Sequence, residues 1–283
     1  MTNYQNLISI SVEDTNYFNN LSESVHQQII DKISIYGIVG IELKAGNRNV
    51  ARENLKQIAE YLGKIQSHKH SSDGLVDITM KQGYYDQSVK RPQSDNGHQT
   101  PHTDGVFGVT PEFMVMYCIE PANLGGETII IDMRDALLYM MQFFPHLLPS
   151  LFIDNAATVI RGDARKSGPV FAINSGIIEG YFSNHEYNLA IVNPECKEAY
   201  DTLNDYITST TNQKTLKSRP GTLWIYSNKR ILHGRNAFND LFGKERHYVR
   251  GWYDGSGAWN KSSMKGIPLE VEQFSKLQNL VVR

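Results

Sequence analysis

The chain has 283 residues, of which 28 are lysine or arginine and 30 are aspartate or glutamate, so its formal net charge at pH 7 is −2. A charge this close to zero removes the electrostatic reason to expect a nucleic acid or an anionic membrane as a partner. The two cysteines, Cys118 and Cys196, are too few for a disulfide scaffold or a cysteine-based zinc or iron–sulfur site.

The sequence predicts a cytoplasmic protein. The first residues contain neither the basic nor the apolar part of a signal peptide. Residues 136–153 carry no charged side chain and reach the ~18 residues at which a membrane span becomes possible. Because this segment contains Pro145 and Pro149, we predict instead a helix that ends at Pro145, followed by a loop that packs on the core.

The N-terminal part alternates helix and strand. Apolar residues recur at the spacing of one helix face at Leu21, Val25, Ile29 and Ile33. Residues 38–43 predict a strand. Residues 48–62 predict a second helix, which Gly63 ends.

Short strand-like runs then follow, punctuated by Gly, Pro and Asn, a pattern typical of a sheet sandwich or barrel. They lie at 113–119, 128–131, 189–192, 223–226, 230–232 and 247–253. Two helices interrupt them, at 132–144 and at 194–207, and Asn193 is the expected N-cap of the second. We predict an α+β fold that is mainly β, forming a single domain over 1–283. Its helix–strand part spans 1–65 and its β core about 100–254, with a helical insert.

The pair His102 and Asp104 is a candidate for metal binding. On a strand, side chains two residues apart project from the same face, about 6.6 Å apart along the chain, and can share one metal. His233 is the candidate third ligand, on the return strand of a hairpin predicted to turn at 227–229. Two imidazoles and one carboxylate form a facial triad with open positions, which suits non-haem Fe(II).

Arg246 and Arg250 follow His233 and share one face of a predicted strand with Tyr248 and Trp252. A buried guanidinium needs an anionic partner, and its planar shape suits bidentate binding of a carboxylate. Two arginines so close to a candidate metal ligand favour a dicarboxylate ligand over two unrelated salt bridges.

Four motifs together resemble the taurine dioxygenase and clavaminate synthase (TauD/TfdA) superfamily. They are PHTDG at 101–105, PANLGGET at 121–128, NKRILHGRNAF at 228–238 and RHYVR at 246–250. The resemblance covers about 38–254. It implies a double-stranded β-helix (jelly roll) core flanked by N-terminal and inserted helices. It also implies an Fe(II)- and 2-oxoglutarate-dependent dioxygenase that uses O2.

The resemblance also assigns roles to single residues. The implied iron ligands, and so the implied catalytic centre, are His102, Asp104 and His233. Arg246 and Thr128 resemble the residues that bind the distal carboxylate of 2-oxoglutarate. Arg250 resembles a position that faces substrate in some members and supports the co-substrate pocket in others. The implied reaction is hydroxylation, desaturation or cyclisation of a small polar metabolite, such as an amino acid derivative, with release of succinate and CO2.

A long polar segment at 81–100 precedes His102 and is the candidate lid over the substrate. With Arg250, its residues Tyr84, His98 and Gln99 are the candidate substrate contacts. The expected partner is therefore a small molecule, with no nucleic acid or membrane, and the sequence does not specify an oligomeric state.

Two other functions are compatible with parts of the pattern. The first is a non-catalytic jelly-roll or cupin-like binding module. A cupin would use His68 and His70, although Gly74 and Leu75 occupy the places where it has its glutamate. A non-catalytic jelly-roll module would need no facial triad and no paired arginines. A zinc hydrolase would accept His102, Asp104 and His233 as ligands, but it would leave Arg246 and Arg250 without a role.

Overall fold

A computed structural model describes residues 4–68, 71–79, 97–184, 188–240 and 244–281 of the chain. The α-helices in this part are α1 (Tyr4–Ile8), α2 (Glu23–Tyr36), α3 (Arg48–Leu62), α4 (Met133–Phe143), α5 (Lys197–Thr208) and α6 (Val271–Val281). None of the helices in these ranges is long and apolar enough to cross a membrane.

Strands make up most of the centre of the chain. Within the described residues they are β1 (Ser9–Val12), β2 (Ile38–Leu43), β3 (Val76–Thr79), β4 (Gln99–His102), β5 (Phe113–Glu120), β6 (Leu124–Gly125), β7 (Thr128–Asp132), β8 (Ala157–Arg161), β9 (Ala164–Gly168), β10 (Phe171–Asn174), β11 (Ile177–Gly180), β12 (Leu189–Val192), β13 (Lys214–Leu216), β14 (Thr222–Ser227), β15 (Ile231–Arg235), β16 (Phe238–Asn239) and β17 (His247–Tyr253). The larger sheet has the order β1-β2-β14-β5-β17-β3, and the next largest has the order β13-β7-β15-β4.

These two sheets face each other across an apolar layer. Met114 and Tyr226 of the six-stranded sheet pack with Ile130 and Ile231 of the four-stranded sheet, and all four side chains are buried. Strand β5 is apolar from Phe113 to Ile119 because its other face, which includes Val115, contributes to a second core under the N-terminal helices. The predicted sandwich with a mainly β, α+β composition is confirmed.

The second core lies between the six-stranded sheet and helices α2 and α3. Helix α3 has the predicted bounds because both of its ends carry stop signals. The Asn47 side chain accepts hydrogen bonds from the first free backbone N–H groups, and Gly63 adopts a φ of +100°, which is costly for other residues. Strand β2 also has the predicted bounds.

A third core lies beside the four-stranded sheet, where helices α4, α5 and α6 pack around the insert strands β8, β10, β11 and β12. The Asp132 side chain caps α4, and the predicted helix at 194–207 begins as a 3-10 turn over Pro194–Cys196 before α5. The predicted loop after Pro145 contains a 3-10 helix at Leu148–Phe152. Strand β9 was not predicted because its residues are almost all exposed and carry no apolar alternation.

The predicted hairpin at 227–229 is wrong. Strands β14 and β15 belong to different sheets, because β14 already has β2 and β5 on its two edges. The chain crosses from one sheet to the other through Arg230, whose guanidinium is buried against Asp132 at 2.7 Å and donates to the backbone oxygen of Ile35. His233 therefore lies in the centre of β15, between β7 and β4.

The close contact between Gly40 and Trp224 gives a test of the fold. A Cβ on Gly40 would lie 2.5 Å from Cζ3 of the Trp224 ring, which is buried and is held by a hydrogen bond to Ser218. We expect Gly40→Ala to lower the free energy of unfolding by about 1–3 kcal/mol through overpacking. The measurement is urea denaturation, with Gly168→Ala, whose Cβ would meet nothing within 4 Å, as the control. Equal stability of the two variants would contradict the packing.

Candidate metal centre and co-substrate pocket

Three buried side chains converge at one point, two from neighbouring strands and one from the turn that follows the first of them. His102 ends β4, Asp104 follows it by two residues, and His233 pairs directly with His102 across the antiparallel ladder. Their ligand atoms all lie within 4.8 Å of one another. Nε2 of His102 is 3.7 Å from one carboxylate oxygen of Asp104, and Nε2 of His233 is 3.6 Å from the other. This group could hold a metal ion.

The carboxylate of Asp104 is oriented by two donors from strand β17. Nη1 of Arg250 and Nε1 of Trp252 each donate to the same oxygen, Oδ2, at 2.9 Å. Burial alone would raise the pKa of Asp104, but the charge of Arg250 and the neighbouring His233 and His102 outweigh it, and the pKa lies well below its usual value. Asp104 is therefore ionised, the state in which it can bind a cation.

The surroundings of the two imidazoles also favour the form that binds a metal. Burial lowers the pKa of His233 despite the nearby Asp104, which favours the neutral ring that a metal requires. Nδ1 of His102 lies 2.9 Å from the backbone oxygen of Thr100. A hydrogen bond there places the proton on Nδ1 and leaves Nε2 as the ligand atom.

The turn that carries Asp104 is fixed from both sides. The amide of the fully buried Asn228 accepts from the backbone N–H of Asp104 and donates to the backbone oxygens of Asp104 and Pro111. Thr103 exchanges hydrogen bonds with the backbone of Phe182 in the insert. A shift of this turn would therefore break hydrogen bonds to Asn228, which lies between β14 and β15, and to Phe182 of the insert.

The triad and a buried arginine line one cavity of about 800 Å³. Arg246 is 4% exposed and Thr128 is 6% exposed, and both line this cavity. The guanidinium carbon of Arg246 lies 4.1 Å from the centroid of the Tyr248 ring. Among the described residues no carboxylate forms an ion pair with Arg246, and its Nε has no hydrogen-bond partner. The side chain is thus a buried cation that needs an anion.

The other predicted site residues have different positions. Gln99 lines the cavity, and it belongs to strand β4 rather than to a loop. His98 is exposed and is not among the cavity-lining residues. Tyr84 and most of the candidate lid lie outside the described residues. Arg250, expected near substrate or co-substrate, contacts Asp104.

Sequence reasoning missed three contributors to this cavity. The alternation of side chains along a strand predicted that Trp252 shares a face with Arg250. Its hydrogen bond to Asp104 was not predicted, because it depends on how the two sheets pack. Arg161 and Arg235 also line the cavity. Arg161 belongs to the insert, and no motif near it indicates that its strand reaches the centre.

Comparisons with known proteins agree with this arrangement. The model of the taurine catabolism dioxygenase TauD, TfdA family matches residues 9–252. A uridine-5'-phosphate dioxygenase from Amycolatopsis sp. is 24% identical over 171 residues, and the match covers 56% of this chain and 62% of that protein's length.

Solved structures share the fold at low sequence identity. The non-haem iron oxygenase OrfP, in complex with Fe and alpha-ketoglutaric acid, has a TM-score of 0.65 at 14% identity, covering 83% of this chain and 81% of its own. An asparagine oxygenase in complex with Fe(II), 3-hydroxyasparagine and succinate has a TM-score of 0.62 at 12% identity, covering 82% and 80%. The PvcB protein from Pseudomonas aeruginosa has a TM-score of 0.61 at 17% identity, covering 87% and 86%. The predicted resemblance and fold class are confirmed.

The indole of Trp252 gives a test of the metal centre. Because Trp252 orients Asp104, we expect Trp252→Phe to raise the dissociation constant for Mn(II) about 10- to 100-fold. The measurement is anaerobic titration calorimetry. Trp259→Phe is the matched control, since Trp259 packs among Phe18 and Tyr61 in the second core. Equal Mn(II) affinity in both variants would exclude a role for the indole in orienting a metal ligand.

Proposed function

The chain belongs to the taurine catabolism dioxygenase TauD, TfdA family, and we propose that it is an Fe(II)- and 2-oxoglutarate-dependent dioxygenase of a small polar metabolite. Fe(II), 2-oxoglutarate and O2 are the cofactor and co-substrates of that family, as the sequence motifs implied. The finer proposal is hydroxylation, desaturation or cyclisation of an amino acid derivative or a similar compound, with release of succinate and CO2.

His102, Asp104 and His233 are the proposed iron ligands. The donor set fits Fe(II), because two neutral imidazoles and one carboxylate leave positions for a chelating co-substrate and for dioxygen. Their burial and the separate hydrogen bonds to His102 and Asp104 match the outer contacts that orient metal ligands. When bound, Fe(II) would supply the activation of dioxygen that oxidative decarboxylation of the keto acid requires.

The observation that best supports the proposal is the burial of the Arg246 guanidinium beside the triad. A buried guanidinium without an acidic partner among the described residues lies in the same cavity as the triad. We infer that it binds the distal carboxylate of 2-oxoglutarate, and that the hydroxyl of Thr128 donates to the same group. The chain itself then binds and orients the co-substrate, while the apolar layer between the sheets excludes water.

The alternative functions explain less of the cavity. A zinc hydrolase could use the triad, but the buried Arg246 would have no anion to bind. A binding module would need neither the oriented Asp104 nor Arg246. We also propose a cytoplasmic location, which agrees with two unpaired, buried cysteines, and a small-molecule partner.

Turnover itself is the first test. We expect succinate release from 2-oxoglutarate under air with Fe(II) and none with Zn(II), measured by chromatography with and without candidate amino acids and nucleotides. We expect Asp104→Ala to reduce release to background, because it removes both a ligand and the negative charge that balances the metal. Product formation near the unmodified level in Asp104→Ala would refute the triad.

Co-substrate binding is a separate test. We expect Arg246→Gln to raise the dissociation constant for 2-oxoglutarate, measured anaerobically with Mn(II), about tenfold to several hundredfold, since a charge-assisted pair contributes about 1.5–3 kcal/mol. Arg165→Gln, an exposed arginine of β9 outside the cavity, is the control and should leave it unchanged. An effect on substrate alone would mean that Arg246 and Arg250 have exchanged roles.

A further inference from the structure

Arg161 is a second arginine of the cavity that the proposed function does not use. It ends strand β8 of the insert, and it lines the same cavity as the triad. Its Nε donates to Oδ1 of Asn188 at 2.5 Å, and its guanidinium carbon lies 5.4 Å from the centroid of the Phe107 ring. Phe107 follows Asp104 by three residues, so Arg161 approaches the triad from the side of the insert.

The contact to Asn188 fixes the guanidinium before any ligand binds. Asn188 is 1% exposed, and its Nδ2 donates to the buried hydroxyl of Ser183 at 2.9 Å. The direction of the amide is therefore set by Ser183, and its oxygen faces Nε of Arg161. A guanidinium bound through Nε keeps Nη1 and Nη2 for an oxyanion that offers two oxygens.

No carboxylate forms an ion pair with Arg161 in the part of the chain that the structure describes. The other arginines of the cavity have partners or roles. Arg250 binds Asp104 at 2.9 Å, Arg235 donates to the backbone oxygen of Gly97, and Arg246 is assigned to the co-substrate. Arg161 is exposed to the cavity and available to a ligand.

The charge of the cavity favours the same conclusion. Among the residues that the structure describes, four arginines line it, against the carboxylates of Asp104 and Asp254. A dicarboxylate co-substrate and a divalent metal would cancel each other, so this described lining keeps an excess of positive charge when the cavity is loaded. A cavity whose lining charges are mainly of one sign attracts ligands of the opposite charge.

We propose that Arg161 anchors an oxyanion of the substrate, so that the enzyme selects substrates with a carboxylate or a phosphate group. The anchor lies on the insert, whereas the proposed iron and 2-oxoglutarate sites lie on the two facing sheets. This inference rests on the proposed function for the identity of the ligand as a substrate, but binding of the oxyanion requires no turnover.

The test measures binding to the protein loaded with Mn(II) and 2-oxoglutarate without oxygen. The probes form two pairs, uridine 5'-phosphate with uridine and L-asparagine with L-asparagine amide, so that each oxyanion has a counterpart that lacks it. We expect one oxyanion to bind at least tenfold more tightly than its counterpart, and the pair that responds distinguishes a phosphate from a carboxylate.

Variants then assign the preference to Arg161. We expect Arg161→Gln to abolish it and Arg165→Gln, on the neighbouring strand and outside the cavity, to retain it. Asn188→Asp serves as the test if Arg161→Gln fails to fold. It keeps the size of the side chain and places a carboxylate against Nε of Arg161, so it should also abolish the preference. The affinities for Mn(II) and 2-oxoglutarate should change less than twofold in all three variants.

The outcomes separate this inference from the proposed function. Equal affinity for the two members of both pairs would refute the proposal that Arg161 anchors an oxyanion, and so would the absence of binding by any probe. A preference that survives Arg161→Gln or Asn188→Asp would also refute it. Failure of the oxygenase proposal would appear earlier, as 2-oxoglutarate binding that depends on neither the metal nor Arg246. The two results come from different titrations of the same protein.

Discussion

The buried negative charge of Asp104 is the constraint on which the site depends. An isolated carboxylate at this depth would cost several kcal/mol, and the fold compensates it with two donors from the six-stranded sheet. Arg250 and Trp252 belong to β17 of the six-stranded sheet, whereas His102 and His233 belong to β4 and β15 of the four-stranded sheet. One carboxylate therefore joins the two layers of the sandwich at the point where a metal can bind.

The same strand that neutralises Asp104 also builds the core behind it. Along β17, Tyr248 and Trp252 face the layer between the sheets, and Val249 and Tyr253 face the helices. The hydroxyl of Tyr253 donates to the backbone oxygen of Leu55 in α3. Alternation along one strand thus couples the position of Arg250 to the packing of the N-terminal helices, so that a disturbance of that core would also disturb the site.

Local signals allowed much of the fold and site to be predicted from the sequence. The bounds of α3 follow from Asn47 and Gly63, which act within a few residues of the helix ends. The i, i+2 spacing of His102 and Asp104 identified the pair, but the predicted strand does not extend through it. Strand β4 ends at His102, and Asp104 lies in the turn that follows. The crossing at Arg230 was not predictable, because the edges of β14 are filled by β2 and β5, strands more than 100 residues away in the sequence. Which sheet receives β15 is decided by that distant pairing and not by the turn.

The division between sandwich and insert has a physical consequence for specificity. The proposed metal and co-substrate contacts are buried in two packed layers, where a substitution opens a cavity or leaves a charge unpaired. Strand β9, which pairs with the strand that carries Arg161, is almost entirely exposed, so its side chains can change without loss of a core. Arg161 still reaches the cavity because Asn188 and Ser183, both buried, hold it from behind. Substrate selection on the insert can therefore vary while the chemistry on the sheets stays fixed.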